Sequence, residues 1–189
     1  MLMEGGVVFD EEFQKVVMVE GGYSDHPSDS GGKTKYGITE DVARANGYQG
    51  AMVDLPLDVA KGIYRRQYWD LLKLDDVAGV SKAVAHELFD TGVNLGVSKA
   101  ATFLQVALEN LNRRAKDYSD VTVDGVMGPM SVHALRRFFE VRGDRAERVI
   151  LRALNCQQGS HYLKIGGSST ADDKNEDFMF GWFDTRVLL

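Results

Sequence analysis

Apolar positions recur with a helical period along most of the chain. Phe9, Phe13, Val16, Val17 and Glu20 fall on one face of a helix beginning near Asp10 and stopped by Gly21-Gly22. Over residues 23–38 the period breaks. Pro27, Gly31, Gly32 and Gly37 interrupt any helix there, and Ser30-Gly31-Gly32 predicts the bend of an irregular β-hairpin. Thr39 reads as an N-cap, followed by Glu40 and Asp41 in the first turn and Asn46-Gly47 at the end. Pro56 suits the first position of another helix, with Val59, Ile63 and Tyr68 available for a core.

The segment Gly-Val-Ser-Lys-Ala occurs twice, at 79–83 and 96–100, which predicts two helix starts capped by Ser81 and Ser98. A loop at 117–128 leads to a helix from Pro129 to Arg142, punctuated by Gly143, after which Asp144 is expected to cap a long helix reaching Leu163. Residues 166–177 read as a solvated loop, and the tail offers Phe178, Phe180, Trp182 and Val187 as anchors for docking on the core. The expected fold is mostly α with a small β-hairpin, in a single compact unit.

Composition narrows the function classes. The chain has 189 residues, 44% of them hydrophobic and 26% charged, which excludes wholesale disorder. Its net charge of −6 argues against non-specific binding of nucleic acid. No apolar run approaches the ~20 residues of a membrane span, and Met-Leu-Met-Glu-Gly-Gly lacks the basic start and apolar stretch of a secretory signal. The single cysteine, Cys156, excludes an internal disulfide framework and is expected as a buried thiol among Val149, Ala153 and Leu154.

The most informative stretch runs from Glu20 to Thr39. Glu20 is an acid at the C-terminal end of a helix, among positions whose neighbours are apolar. Desolvation and the negative end of the helix dipole both favour its protonated form, which a general acid requires. The alternative is a helix-terminal glutamate turned to solvent. Asp29 lies in a polar, glycine-rich setting where it should stay ionised, and Thr34 is suited to holding a water beside it. Two carboxyls in contrasting environments match the needs of glycoside hydrolysis.

The pattern E-G-G-Y-x-x-x-P-x-D-x-G-G-x-T-x-x-G-I-T from Glu20 to Thr39 resembles the signature of the glycoside hydrolase family 108 muramidases. The likeness continues through Tyr68-Trp69-Asp70, Glu87–Gly96 and Val123–Pro129, and ends at Gly181–Val187, the later segments resembling the family's C-terminal peptidoglycan-binding-type region. The resemblance implies a lysozyme-like α+β fold, with residues 1–95 as catalytic region and 96–189 as a helical peptidoglycan-binding-type region packed on it. It implies cleavage of the β-1,4 bond between N-acetylmuramic acid and N-acetylglucosamine, with Glu20 as the catalytic acid. It also implies an endolysin made in the host cytoplasm and released to the periplasm through a membrane pore. A second likeness is to T4-type phage lysozymes. Glu20 and Asp29 keep that family's eight intervening residues, but four rather than five precede Thr34. The rivals are a lytic transglycosylase and a non-catalytic peptidoglycan-binding module.

Other residues extend the candidate site. Tyr23 and Tyr36 could stack on sugar faces, as could Tyr68 and Trp69 unless they belong to the core. Asp90 and Asn94 are expected to orient the substrate cleft. His86 and Asp90 stand four apart on a helix but find no third ligand, so neither a metal nor another cofactor is expected. Arg136, Arg137 and Arg142, with Arg145, Arg148 and Arg152 beyond, form either a solvated face or a patch for anionic envelope polymers. Peptidoglycan is the expected partner and a monomer the expected state.

Overall fold

The computed structural model describes residues 4–20, 22–24, 32–166 and 175–187. Its contacts divide the chain into two compact units, Met1–Leu71 and Leu72–Leu189, where a single unit was expected. No long polar linker marks the division, so composition carries no sign of it.

The first unit is built on helix α1 (Glu4–Glu20), which starts a turn and a half earlier than its apolar pattern indicates. Phe9 and Phe13 are buried on one side of it while Asp10, Glu11, Gln14 and Lys15 face solvent. Phe9 meets Trp69 edge-on at 5.2 Å, and Phe13 meets Tyr64 at 5.5 Å. Trp69 is completely buried, which assigns it to the core rather than to a sugar-stacking surface. It is brought there by a π-helical turn, Arg65–Trp69, that continues α3 (Leu57–Tyr64). Pro56 is the cap of α3 rather than its first residue.

Three two-residue strands follow α1: β1 (Tyr23–Ser24), β2 (Thr34–Lys35) and β3 (Ile38–Thr39), antiparallel in the order β1-β2-β3. The expected hairpin is thus one half of a three-stranded sheet. Tyr23 pairs with Lys35, and Lys35 with Ile38. Tyr36 and Gly37 turn between β2 and β3 with φ of 53° and 72°, and positive φ at both central residues matches the twist of a two-residue hairpin. Thr39 caps α2 (Glu40–Ala45) as expected, its hydroxyl accepting from the Val42 amide.

The second unit is helical: α4 (Leu74–Ala78), α5 (Lys82–Leu95), α6 (Val97–Leu111), α7 (Pro129–Arg142), α8 (Ala146–Ile165) and α9 (Glu176–Arg186). Helix α5 packs on α4, α6 and α8. Leu88, Leu104, Leu108, Leu135 and Ile150 form the dry centre. Gly92 lets Leu72 approach α5, since a Cβ there would lie 2.8 Å from a Leu72 methyl. Ser81 caps α5 by accepting from the Val84 amide. Ser98 and Asp144 do not act as caps. Helix α6 starts two residues earlier, at Val97 after Gly96 at φ 91°, and a 3-10 turn over Gly143–Arg145 leads into α8.

The segment Val123–Pro129 is held by one side chain. Gln105 donates to the Asp124 carboxylate and the Val126 carbonyl, and its own carbonyl accepts from the Asp124 and Gly125 amides. Arg142 is committed in the same way to the preceding loop, donating to the Leu111 carbonyl at 2.8 Å and the buried Asp117 carboxylate at 2.9 Å. It is a structural residue rather than part of an exposed basic face.

Helix α9 docks on α8 through Trp182, whose ring centre lies 4.9 Å from that of Tyr162 at a tilt of 31°, and Phe183, which lies against Gly159. Phe180 is 84% exposed and is no anchor. Cys156 is exposed, contrary to expectation. The buried face of α8 carries Asn155, Gln158, Gly159 and Tyr162 beside Ala146, Ile150 and Leu154, so Leu154 is inside as expected while Cys156 and Val149 fall on the outer side. Among the described residues no helix is long and apolar enough to cross a membrane.

Candidate functional site

The aromatic packing of the first unit fixes where α1 ends. Phe13 rests on Tyr64, and the Tyr64 hydroxyl donates to the Tyr36 carbonyl at 3.1 Å. One side chain thereby ties the helix to the β2–β3 turn. Glu20 is the last residue of α1, and β1 begins at Tyr23. The backbone thus delivers an acid from a helix C-terminus straight into a sheet edge. The Glu20 side chain and the whole of Asp29 lie outside the described residues.

Three other predicted residues lie on this sheet. Tyr23 is 41% exposed on β1. Thr34 is half-buried on β2, opposite Ser24 on one side and Thr39 on the other. Its hydroxyl donates to the Gly32 carbonyl at 3.2 Å, which leaves the oxygen able to accept from a water. Tyr36 occupies the turn, with the Lys35 ammonium 5.1 Å from its ring centre and that ammonium also donating to the Val53 carbonyl. The sheet therefore gathers Tyr23, Thr34 and Tyr36 beside the end of α1.

Asp90 and Asn94 belong to the second unit. The Asn94 amide donates to both the carbonyl and the carboxylate of Asp90, at 2.8 and 3.1 Å. Arg186 of α9 stands 3.9 Å from the same carboxylate. Burial raises the Asp90 pKa, opposed by Arg186 and His86.

One turn earlier on α5 is a residue that sequence reasoning passed over. Glu87 is only 8% exposed, and burial, reinforced by the Asp90 charge, pushes its pKa up to about 7. Asn155 and Thr91 hydrogen-bond its carboxyl, yet among the described residues its Oε1 has no partner. Its only signal in sequence is an acid on the apolar side of α5, between Val84 and Leu88. Among the described residues no group of three or more His, Cys, Asp or Glu is placed to hold a metal.

Comparison with known proteins assigns the two halves. Residues 13–96 match the model of glycosyl hydrolase 108, and residues 99–187 match a family described as a predicted peptidoglycan domain. Comparison with curated proteins gave no match. Among solved structures the chain is similar to SagA of Brucella abortus, with 26% identity and a TM-score of 0.66, covering 95% of this chain and 89% of that one. The fragment that carries Glu20 and the sheet thus falls within the hydrolase match, and α7, α8 and α9 within the other. The chain is a glycoside hydrolase, carrying a glycosyl hydrolase family 108 domain over residues 13–96.

Proposed function

We propose that this enzyme is an N-acetylmuramidase that hydrolyses the β-1,4 bond between N-acetylmuramic acid and N-acetylglucosamine in peptidoglycan. The observation that carries the reading is the position of Glu20, closing α1 immediately before a small sheet in a family 108 hydrolase fused to a peptidoglycan domain. The helix dipole disfavours a carboxylate at that end, which keeps a proton available for the leaving glycosidic oxygen. Asp29 activates a water on the opposite face of the sugar ring, and the Thr34 hydroxyl helps hold that water. Tyr23 and Tyr36 supply faces for sugar rings. A short Asp side chain nine positions past Glu20, beyond a Gly-Gly break in the sequence, reaches a water more readily than the anomeric carbon, so the reaction inverts configuration. Arg136 and Arg137, both exposed on α7, are the residues left to meet an anionic envelope. On this reading the enzyme acts in the periplasm after passing a pore made by another protein.

The test uses sacculi from permeabilised Gram-negative cells. Wild-type enzyme should release reducing ends, with the α-anomer seen first by proton NMR. The Glu20→Gln variant should fold and lose ~10²–10⁴ in rate. A folded Glu20→Gln variant with near wild-type lysis would overturn the assignment. Products ending in 1,6-anhydro rings would make the enzyme a lytic transglycosylase instead.

A further inference from the structure

Helices α5 and α8 leave a cleft of about 420 Å³ between them, inside the second unit. It lies where the two family matches meet. Ala83, His86 and Glu87 come from the hydrolase segment, and Arg148, Leu151, Arg152 and Asn155 from the peptidoglycan segment. Its walls are chemically sorted. Arg148 and Arg152 stand four residues apart on α8 and are both exposed at the mouth. Among the described residues neither forms an ion pair, whereas the neighbouring Glu147 is occupied by the Ser81 hydroxyl at 2.8 Å. Ala83 and Leu151 provide apolar wall. Asn155 is 2% exposed and anchors its own amide on the Leu151 carbonyl at 3.0 Å. Glu87 lines the same cleft, nine-tenths buried, with an oxygen that no described residue satisfies. A buried carboxyl oxygen without a partner is costly unless something else completes it.

We propose that this cleft binds the stem peptide of peptidoglycan, with Arg148 and Arg152 taking its carboxylates and Glu87 pairing with a polar group of the inserted peptide. The inference rests on peptidoglycan as the substrate of the reading above. Two guanidinium forks at helical spacing suit the separate carboxylates of a short acidic peptide better than an uncharged sugar. The apolar strip of Ala83 and Leu151 accepts the methyl groups of alanyl residues. Glu87, raised to about 7 by burial, keeps its proton in about half of the molecules at pH 7, and in that form its carboxyl donates to a peptide carbonyl or carboxylate without adding a repelling charge. Placed between the family segments, the site reads the peptide while the first unit handles the glycan.

The probe is the free tetrapeptide L-Ala–D-Glu–meso-diaminopimelate–D-Ala, which the hydrolase cannot cut, titrated into the full-length wild-type enzyme by calorimetry. Saturable binding is expected, with affinity falling by at least about tenfold in Arg148→Ala/Arg152→Ala, since each charged hydrogen bond lost is worth more than a neutral one. The two arginines are exposed, so an unchanged melting temperature will show that the double variant is folded. Glu87→Gln keeps the shape of the buried group and a neutral donor, so it should bind like wild type at pH 5 and more tightly than wild type at pH 8, where Glu87 ionises. No binding by wild type, equal affinity in the double arginine variant, or an isotherm reproduced by acetate at the same carboxylate concentration would each overturn the proposal. Hydrolysis of peptide-free glycan is read in parallel. Peptide binding without glycan cleavage refutes the muramidase reading and leaves the cleft standing, and cleavage without peptide binding does the reverse.

Discussion

Glu12 on α1 and Glu87 on α5 are both helical acids with little exposure, 6% and 8%, yet the two units treat them differently. Glu12 has the Lys15 ammonium 2.8 Å from its carboxylate. Glu87 has the neutral donors Asn155 and Thr91 and the charge of His86 to favour its ionised form, with a second acid, Asp90, close by. Asp117, also in the second unit, marks the other extreme, its carboxylate shared by Arg113 and Arg142 and its pKa lowered by them. Burial by itself does not decide the state of an acid; the partner does. The first unit uses apolar packing to deliver its acid to the end of a helix. The second stores a poorly compensated acid inside a helix pair. On the two proposals above, that contrast separates a residue placed for chemistry from one placed for a ligand.

The largest effects should come from the first unit. Asp29→Asn removes the proposed base, and hydrolysis of sacculi should fall by about 10² or more while melting is unchanged. A fully active variant would move the base role to Asp25 or Asp90. The brace beneath α1 can be broken independently. Phe13→Ala deletes the ring between Phe9 and Tyr64 and should cost about 3–5 kcal/mol of stability. Trp69, buried in the same unit, supplies a fluorescence signal for denaturant melts. A loss below about 1 kcal/mol would mean that the aromatic cluster does not hold the helix.

The second unit should announce itself through pH. Glu87 rises from 4.5 to about 7 on folding, so the folded state binds the extra proton and stability falls as pH climbs through that window. The cost is absent below 4.5 and reaches roughly 3 kcal/mol above 7. Asp90, also raised by burial, adds to the same slope, while His86 facing both acids works against it. Denaturant melts at pH 5 and pH 8 should therefore show a steeper loss for wild type than for Glu87→Gln, with the two close together at pH 5. Parallel losses would show that Glu87 ionises on folding as readily as in the unfolded chain.

What was legible in the sequence follows the range of the interactions involved. Pro129 and Gly143 bound α7 through local backbone preference, and Thr39 and Ser81 cap their helices through bonds three residues long. The Glu20–Thr39 motif was legible because so many residue types recur at fixed spacing. Glu87 was hidden because its burial comes from α8, some sixty residues away in the chain. Cys156 was misread for a related reason: the inner face of α8 mixes Ile150 and Leu154 with Asn155 and Gln158, which bond across to α5, and a hydrophobic period does not find the polar part of such a face. Ser98 failed as a cap because Gly96, at a φ open to glycine, starts α6 first.

The smallest effect contrasts the backbones of the two units. The first places positive φ at Tyr36 and Gly37, where a hairpin needs it and a glycine takes half the burden. The second places three consecutive non-glycine residues there, Arg113, Arg114 and Ala115, at φ of 51°, 61° and 56°. Each such residue costs ~1–2 kcal/mol through contact of Cβ with the following carbonyl. Arg113 recovers the cost by donating to the buried Asp117 carboxylate from Nε at 3.1 and 3.0 Å. Arg114 is exposed and has no such bond among the described residues. Replacing it with glycine relieves the strain, partly offset by the greater entropy of glycine in the unfolded chain. Arg114→Gly should therefore stabilise the second unit by up to about 1 kcal/mol, whereas Arg113→Gly, which also gives up the Asp117 pair, should destabilise it. Paired denaturant melts followed through Trp182 would read both. A gain at Arg113→Gly equal to that at Arg114→Gly would show that strain, and not the Asp117 pair, governs this turn.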